Sequence, residues 1–243
     1  MRQYVVFALV APALAALAGC ATVPVECLAV MEIPRMEEAI TVDGLLEESC
    51  YRSHPPLQQF VVAGNAAQAA PLTRVWLFWN EDRLICTFAC EEATLAALPP
   101  SSNEKEVDGQ DRVEIFIWKG GDIPLYHCIE AAPDGAVHDY AARFYRNFDD
   151  GWSPPGGWSH RARLSPEGYA VEMVLPGAAL EDMGITLISG SSFRLGLFRA
   201  DYDVLNGVPT WIAWVDHGRE PDFHVADSFG KAVLTGPKTI SSH

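Results

Sequence analysis

The chain has 243 residues, enough for one large β-domain or two small ones. Hydrophobic residues make up 49% and charged residues 20%, which places it among globular rather than disordered chains. Its formal net charge of −15 argues against a nucleic-acid partner, which needs a basic surface.

The N-terminal region reads as an export signal. Arg2 precedes an apolar run over 4–17, too short to span a membrane comfortably, and Ala18-Gly19-Cys20 follows. Leu17-Ala18-Gly19-Cys20 resembles a bacterial lipobox, which implies cleavage after residue 19 and lipidation of Cys20. Ala21 after the cysteine resembles the sorting signal of outer-membrane lipoproteins. The expected organisation is therefore a signal peptide at 1–19, the lipidated cysteine and a short tether at 20–30, one domain at 31–236 and a tail at 237–243. The implied location is the cell envelope, anchored through lipid.

With Cys20 acylated, Cys27, Cys50, Cys86, Cys90 and Cys128 remain, an odd set that leaves at least one thiol free. Cys86 and Cys90 fall in one extended run, LICTFAC. Four strand steps separate them by ~13 Å, beyond the ~7 Å that a disulfide tolerates. They and Cys128 read as small buried hydrophobes.

In chain order, 38–42 reads as a short strand closed by Asp43-Gly44, 45–52 as one or two helical turns, and 57–62 as extended. Residues 72–79 and 84–90 form strands joined at Asn80-Glu81-Asp82. A polar loop over 91–110 is long enough to carry function. The stretch 111–145, DRVEIFIWKGGDIPLYHCIEAAPDGAVHDYAARFY, is the centre of the chain. Val113, Ile115 and Ile117 alternate there with Glu114, Phe116 and Trp118, giving one aliphatic face and one mixed face. Turns at 119–122 and at Pro133-Asp134-Gly135 make it an antiparallel meander. A Gly/Pro loop over 147–159 carries Trp152 and Trp158. A hairpin spans 158–175, one helical turn 176–180, and the last strands 193–200, 210–214 and 229–234. About a dozen short strands with frequent turns predict an all-β protein, an antiparallel β-sandwich with one or two short helical turns.

No nucleophile motif, zinc-protease helix or phosphate-cradling loop occurs, so the chain is not expected to be an enzyme. No cofactor is called for; a structural calcium is left open. Glu114 on the mixed face needs a partner, because a buried charge costs several kcal/mol or more when unpaired. It is either ion-paired inside the sandwich, with Arg199 as a partner, or facing a polar ligand.

Five segments in order resemble the carbohydrate-binding module family 9-like proteins, a branch of the DOMON-like β-sandwiches. They are ITVDG at 40–44, DRVEIFI at 111–117, the strand and turn at 129–135 with Asp139, GYAVEMVLPGAAL at 168–180, and FRLGLFRAD, WIAWVD and FHVADSFGKAVL between 193 and 234. The resemblance covers nearly all of the chain after its signal. It implies a jelly-roll-like sandwich that binds an oligo- or polysaccharide without turning it over. Glu114 matches the family glutamate of the D-x-x-E-I-F strand, and Phe223 falls where one platform tryptophan sits. Arg199 and Trp214 match positions common among lipoprotein-like members. Two positions depart: Asp108 stands where the other platform ring is expected, and Glu130 where those members carry arginine. The ring pair is thus not preserved as such.

The expected ligand site is Glu114, Arg199, Trp214, Phe223 and Glu130 on one open face, with Trp152 on its loop as a second platform. Aromatic faces stack on the C–H face of a pyranose, and charged groups bond its hydroxyls. Tryptophans on strands are more often core, so Trp214 carries that reading too. Two alternatives come from other classes: a haem-binding electron carrier using His127 and Met173, and a structural envelope protein whose mixed face is an assembly surface.

Overall fold

The computed structural model describes residues 29–95, 103–203 and 205–236. The expected signal, Cys20, Cys27 and the tail lie outside them. Two sheets pack face to face. The larger is built from β1 (Val30–Pro34), β2 (Val61–Val62), β5 (Arg112–Trp118), β6 (Leu125–Ala131), β7 (Val137–Arg143), β8 (Asn147–Asp149), β11 (Ser192–Tyr202), β12 (Pro209–Ala213) and β13 (Gly230–Thr235). Its order is β1-β13-β11-β5-β6-β7-β8, with β12 pairing β11 and β2. The smaller contains β3 (Thr73–Trp79), β4 (Arg83–Glu91), β9 (Ser159–Ser165) and β10 (Gly168–Pro176), ordered β3-β4-β10-β9. Pairing is antiparallel except that β1 runs parallel to β13. This is the expected β-sandwich, and α1 (Ser49–Ser53) and α2 (Gly177–Asp182) are its short helices.

Strand alternation explains the layers. Val113, Ile115 and Ile117 of β5 face inward and pack with Val171, Met173 and Leu175 of β10 and with Leu77 and Phe88 in the main core. The opposite face of the larger sheet is not bare. Phe116, Tyr126, Cys128, Tyr140, Phe198, Phe223 and Phe229 form a second, aromatic-rich cluster there. Loops following β7 and β12 cover that face and supply Phe144 and Phe223 to it.

Two expectations about elements are corrected. Residues 38–42 form no strand; the turn after them is held from outside, where Asp43 and Gly44 backbone N–H groups donate to Glu172 Oε2 at 2.9 and 2.6 Å. Gly44 has φ +79°, which only glycine adopts without strain. The polar segment before β5 is not all loop, since Glu104–Gly109 is a 3-10 helix capped by the Asn103 side chain. Cys50, Cys86, Cys90 and Cys128 are buried free thiols, and burial pushes the Cys86 thiol well up. Among the described residues no helix is long and apolar enough to cross a membrane.

Candidate functional site

Register places the site's floor. Ala213 pairs with Phe198, Phe198 with Glu114, Glu114 with Glu130 and Glu130 with His138. These residues form one row across the outer face of β12, β11, β5, β6 and β7. A neighbouring row holds Trp211, Ala200 and Arg112, and the row on the other side holds Phe116, Cys128 and Tyr140. The small Ala200 between Trp211 and Arg112 leaves room for the guanidinium to lie 5.5 Å from the Trp211 ring centroid.

Over this floor opens a cleft of about 470 Å³. Its walls come from the 3-10 helix (Lys105, Asp108), the segment around β8 (Arg146, Phe148, Asp150) and the loop after β12 (Asp222, Phe223, His224). The floor is charged and tightly held. Arg112 Nε lies 2.9 Å from Glu114 Oε1 and 2.7 Å from Glu130 Oε2. Neither oxygen lies along the Nε–H direction, so both are charge contacts rather than aligned hydrogen bonds. Tyr140 donates to Glu130 Oε1 at 2.7 Å, and Arg112 Nη1 donates to the Asp108 carbonyl at 2.8 Å.

Two carboxylates thus share one guanidinium in a nearly dry place, Glu114 being 1% exposed. Burial pushes the Glu114 carboxyl up to about 8, and the neighbouring Glu130 charge adds to this while Arg112 opposes it. Burial raises Glu130 as well, again against Arg112. Burial works to lower Arg112, but the two glutamates more than offset it and the group is held charged. His138 donates from Nδ1 to Asp108 Oδ1 at 2.8 Å; burial works against protonation, and Asp108 carries its pKa above the usual histidine range. His224 accepts or donates through Nδ1 at 2.9 Å from the Tyr126 hydroxyl, and burial depresses its pKa to about 4, so it is neutral at pH 7.

The rings are arranged around this floor. Phe223 stacks on Phe198 with centroids 4.1 Å apart and planes at 12°, and Trp211 stands edge-on to Phe223 at 5.4 Å. Trp211 is only half-buried, so part of its surface faces solvent. Donor atoms of Asp108, Glu130 and His138 lie within 4.8 Å of one another, as do those of Glu92, Asp111 and Asp201. Either group could hold a cation. The second already contains one, because Arg199 Nη2 is 2.6 Å from Glu92 Oε2 and 3.7 Å from Asp201 Oδ2.

Of the residues expected in the site, Glu114, Glu130 and Phe223 line this cleft. Arg199 and Trp214 do not, which corrects the expected convergence. Arg199 pairs in register with Val113, an inward residue, and is 0% exposed between the sheets, with its guanidinium 5.7 Å from the Tyr169 ring. Its partner is Glu92, not Glu114. Trp214 is 9% exposed and belongs to the main core, where glycine at 230 makes room for it: a Cβ there would collide with the indole. Trp152 also lies outside the cleft, hydrogen-bonded through Nε1 to Asp182 at 2.9 Å and packed against His127. The pair named for haem is not brought together in the cleft either. Met173 is fully buried in the core, and His127 lines a separate groove with Trp152.

Sequence reasoning missed Arg112, Tyr140, His138 and Trp211. For Arg112 the signal was present: it stands two residues before Glu114, hence on the same face of the same strand. Trp211 and Trp214 are three apart, so one of them had to face inward, and the adjacent strand decides which.

No model of a protein family matches the chain, and no curated protein sequence does. Solved structures do. A candidate carbohydrate-binding protein from Bacteroides uniformis superposes with a TM-score of 0.68 at 17% identity, over 85% of this chain and 99% of that one. A family 9 carbohydrate-binding module from Caldicellulosiruptor kristjanssonii in complex with cellotriose gives 0.61 at 14% identity, over 88% and 98%. The module from that organism in complex with glucose gives 0.56 at 15% identity, over 87% and 98%. The chain therefore has the fold of the family 9 carbohydrate-binding modules.

Proposed function

We propose that this protein binds carbohydrate in the cleft over Glu114 and Glu130, without catalysing its turnover. The observation that carries the reading is the fork of Arg112 between two buried glutamates beneath the half-exposed Trp211 ring. A pyranose has an apolar C–H face and a rim of hydroxyls. The ring offers the first a surface, while carboxylates and histidine nitrogens accept from the second. The cleft's volume is within the range of small-ligand sites. The fold's likeness to modules solved with cellotriose and glucose supports the same reading.

Each floor group is held by another. Tyr140 and Arg112 orient Glu130, and Asp108 orients His138. Such a floor recognises a hydroxyl pattern with little side-chain ordering on binding, which favours affinity. Isothermal titration of the protein with gluco- and xylo-oligosaccharides tests the reading, with Trp211→Ala as the control. Saturable binding that weakens in the variant is expected. Absence of binding to every oligosaccharide at millimolar concentration would overturn it.

The protein also fits a place in the cell envelope, tethered at an outer membrane through lipidated Cys20. The lipobox-like residues 17–20 support this.

A further inference from the structure

The charge balance of the cleft narrows the class of sugar. Among the described residues, its lysine and arginine side chains are each already held by carboxylates of the same cleft. Lys105 Nζ is 2.5 Å from Asp150 Oδ2, Arg146 Nη2 is 2.8 Å from Asp222 Oδ1, and Arg112 serves Glu114 and Glu130 together. The floor therefore carries one carboxylate more than its guanidinium can neutralise, and Asp108 is held by His138 at 2.8 Å.

A second observation is independent of that count. The His138 side chain is nearly fully buried, yet among the described residues Nε2 has no hydrogen-bond partner, and it lies 3.7 Å from Asp150 Oδ1. With Nδ1–H committed to Asp108, Nε2 is left facing Asp150 across the cleft, as an acceptor when His138 is neutral and as a donor when it holds the proton that Asp108 favours. Glu114 Oε1, also buried and lining the cleft, has Arg112 Nε 2.9 Å away but shares it with Glu130 Oε2. The Glu114–Glu130 pair is one positive charge short, because both carboxylates draw on the same guanidinium.

On the reading that the cleft takes sugar, we propose that its ligand is an amino sugar: a glycan with unsubstituted amines, one ammonium of which lies over the Glu114–Glu130 pair. An ammonium brings the positive charge that the pair lacks, with donors that carboxylate oxygens accept. A uronate or a sulfated sugar would add negative charge beside five carboxylates and is disfavoured. An N-acetylated sugar brings a donor but no charge.

In the free protein the surplus is relieved by a proton on the glutamate pair, with Glu114 pushed up to about 8 by burial and by Glu130. Asp108 reinforces that shift and Arg112 opposes it. A bound ammonium takes over the proton's role, so binding of an already protonated amine releases a proton to solvent. No bond other than O–H changes.

The test is calorimetric titration at about pH 5.5, below the range in which sugar amines lose their proton, in two buffers of different ionisation enthalpy. The probes are a fully deacetylated glucosamine tetramer, its N-acetylated counterpart and cellotetraose. The deacetylated tetramer should bind about tenfold or more tightly than the other two, with a buffer-dependent heat that reports proton release. Glu114→Gln should reduce that preference to within about threefold and abolish the buffer dependence. If that variant misfolds, Asp150→Asn on the exposed wall should still reduce the preference. Cellotetraose binding as tightly as the amino tetramer would overturn the amine assignment and leave the sugar reading standing. A preference retained in both variants would overturn the placement. No binding of any probe would overturn this proposal and the sugar reading together.

Discussion

Glu114 and Arg199 lie on neighbouring strands one residue out of register: Arg199 is paired with Val113, and Glu114 with Phe198. Their side chains therefore leave opposite faces of the same sheet. Each found a different partner. Arg199 is sealed between the sheets with Glu92, while Glu114 faces the cleft with Arg112 and Glu130. A buried ion pair and a buried three-group cluster stand back to back, and their consequences can be separated.

Removing the shared cation should be costly. Arg112→Met leaves Glu114 and Glu130 buried side by side without a positive partner. A stability loss of about 3–5 kcal/mol is expected at pH 7, read by denaturant unfolding. The double variant that adds Glu130→Gln should recover much of it, because the remaining carboxyl can then stay protonated. An additive result would mean that the three groups do not act as one unit.

The two tryptophans at the end of the larger sheet should behave oppositely. Trp211→Ala removes a half-exposed ring over the floor and should weaken sugar binding by ~1–2 kcal/mol with little change in unfolding. Trp214→Ala empties a core site and should cost ~3–5 kcal/mol of stability. Titration and thermal unfolding of the same two variants check both halves. Equal effects on binding would contradict the assignment of faces.

Stability should fall between about pH 6.5 and 8. The sign follows from linkage: folded Glu114, at about 8, holds a proton that the unfolded chain has released above about pH 4.3, so raising the pH through this window favours the unfolded state. His138, also raised, adds to the fall above its unfolded value of about 6.5. Below that, His224 opposes it: its folded value of about 4 makes stability rise with pH up to about 6.5. Asp150 and Asp222 are depressed, so their contribution is lost only on further acidification. Melting temperature against pH should fall over the upper window, and Glu114→Gln should flatten it.

The proposed anchor is tested apart from the fold. Cys20→Ala should leave the precursor unprocessed, or release the protein from membranes, because acyl chains supply the attachment. Membrane fractionation with mass analysis of the N-terminal peptide reads the outcome. Unchanged fractionation of the variant, with no acyl mass on the wild type, would remove the tether.

Much of the fold follows from local pattern. Period-two alternation over Val113, Ile115 and Ile117 demands a strand buried on one face, and turn residues at 119–122 and at Pro133-Asp134-Gly135 return the chain as a meander. The hairpins at Asn80 and at 165–168 are local for the same reason. A carboxylate among aromatics at Glu114 also signalled a polar feature, and alternation alone separates it from its aliphatic neighbours.

What sits beside Glu114 is a different matter, because strand pairing is non-local. A shift of one residue between β5 and β11 exchanges the faces on which their side chains meet. Under the observed register Arg199 goes to the core and Phe198 to the cleft; no spacing within either strand contains that choice. The same holds for Trp211 and Trp214, whose faces are set by β12 pairing β11. Asp108 reaches the cleft from the 3-10 helix, and Asp150 and His224 from two separate loops. The sequence determined which strands carry charge and rings; the tertiary structure alone decided which of those groups share a cleft, because register and loop packing are settled by burial across the whole sandwich.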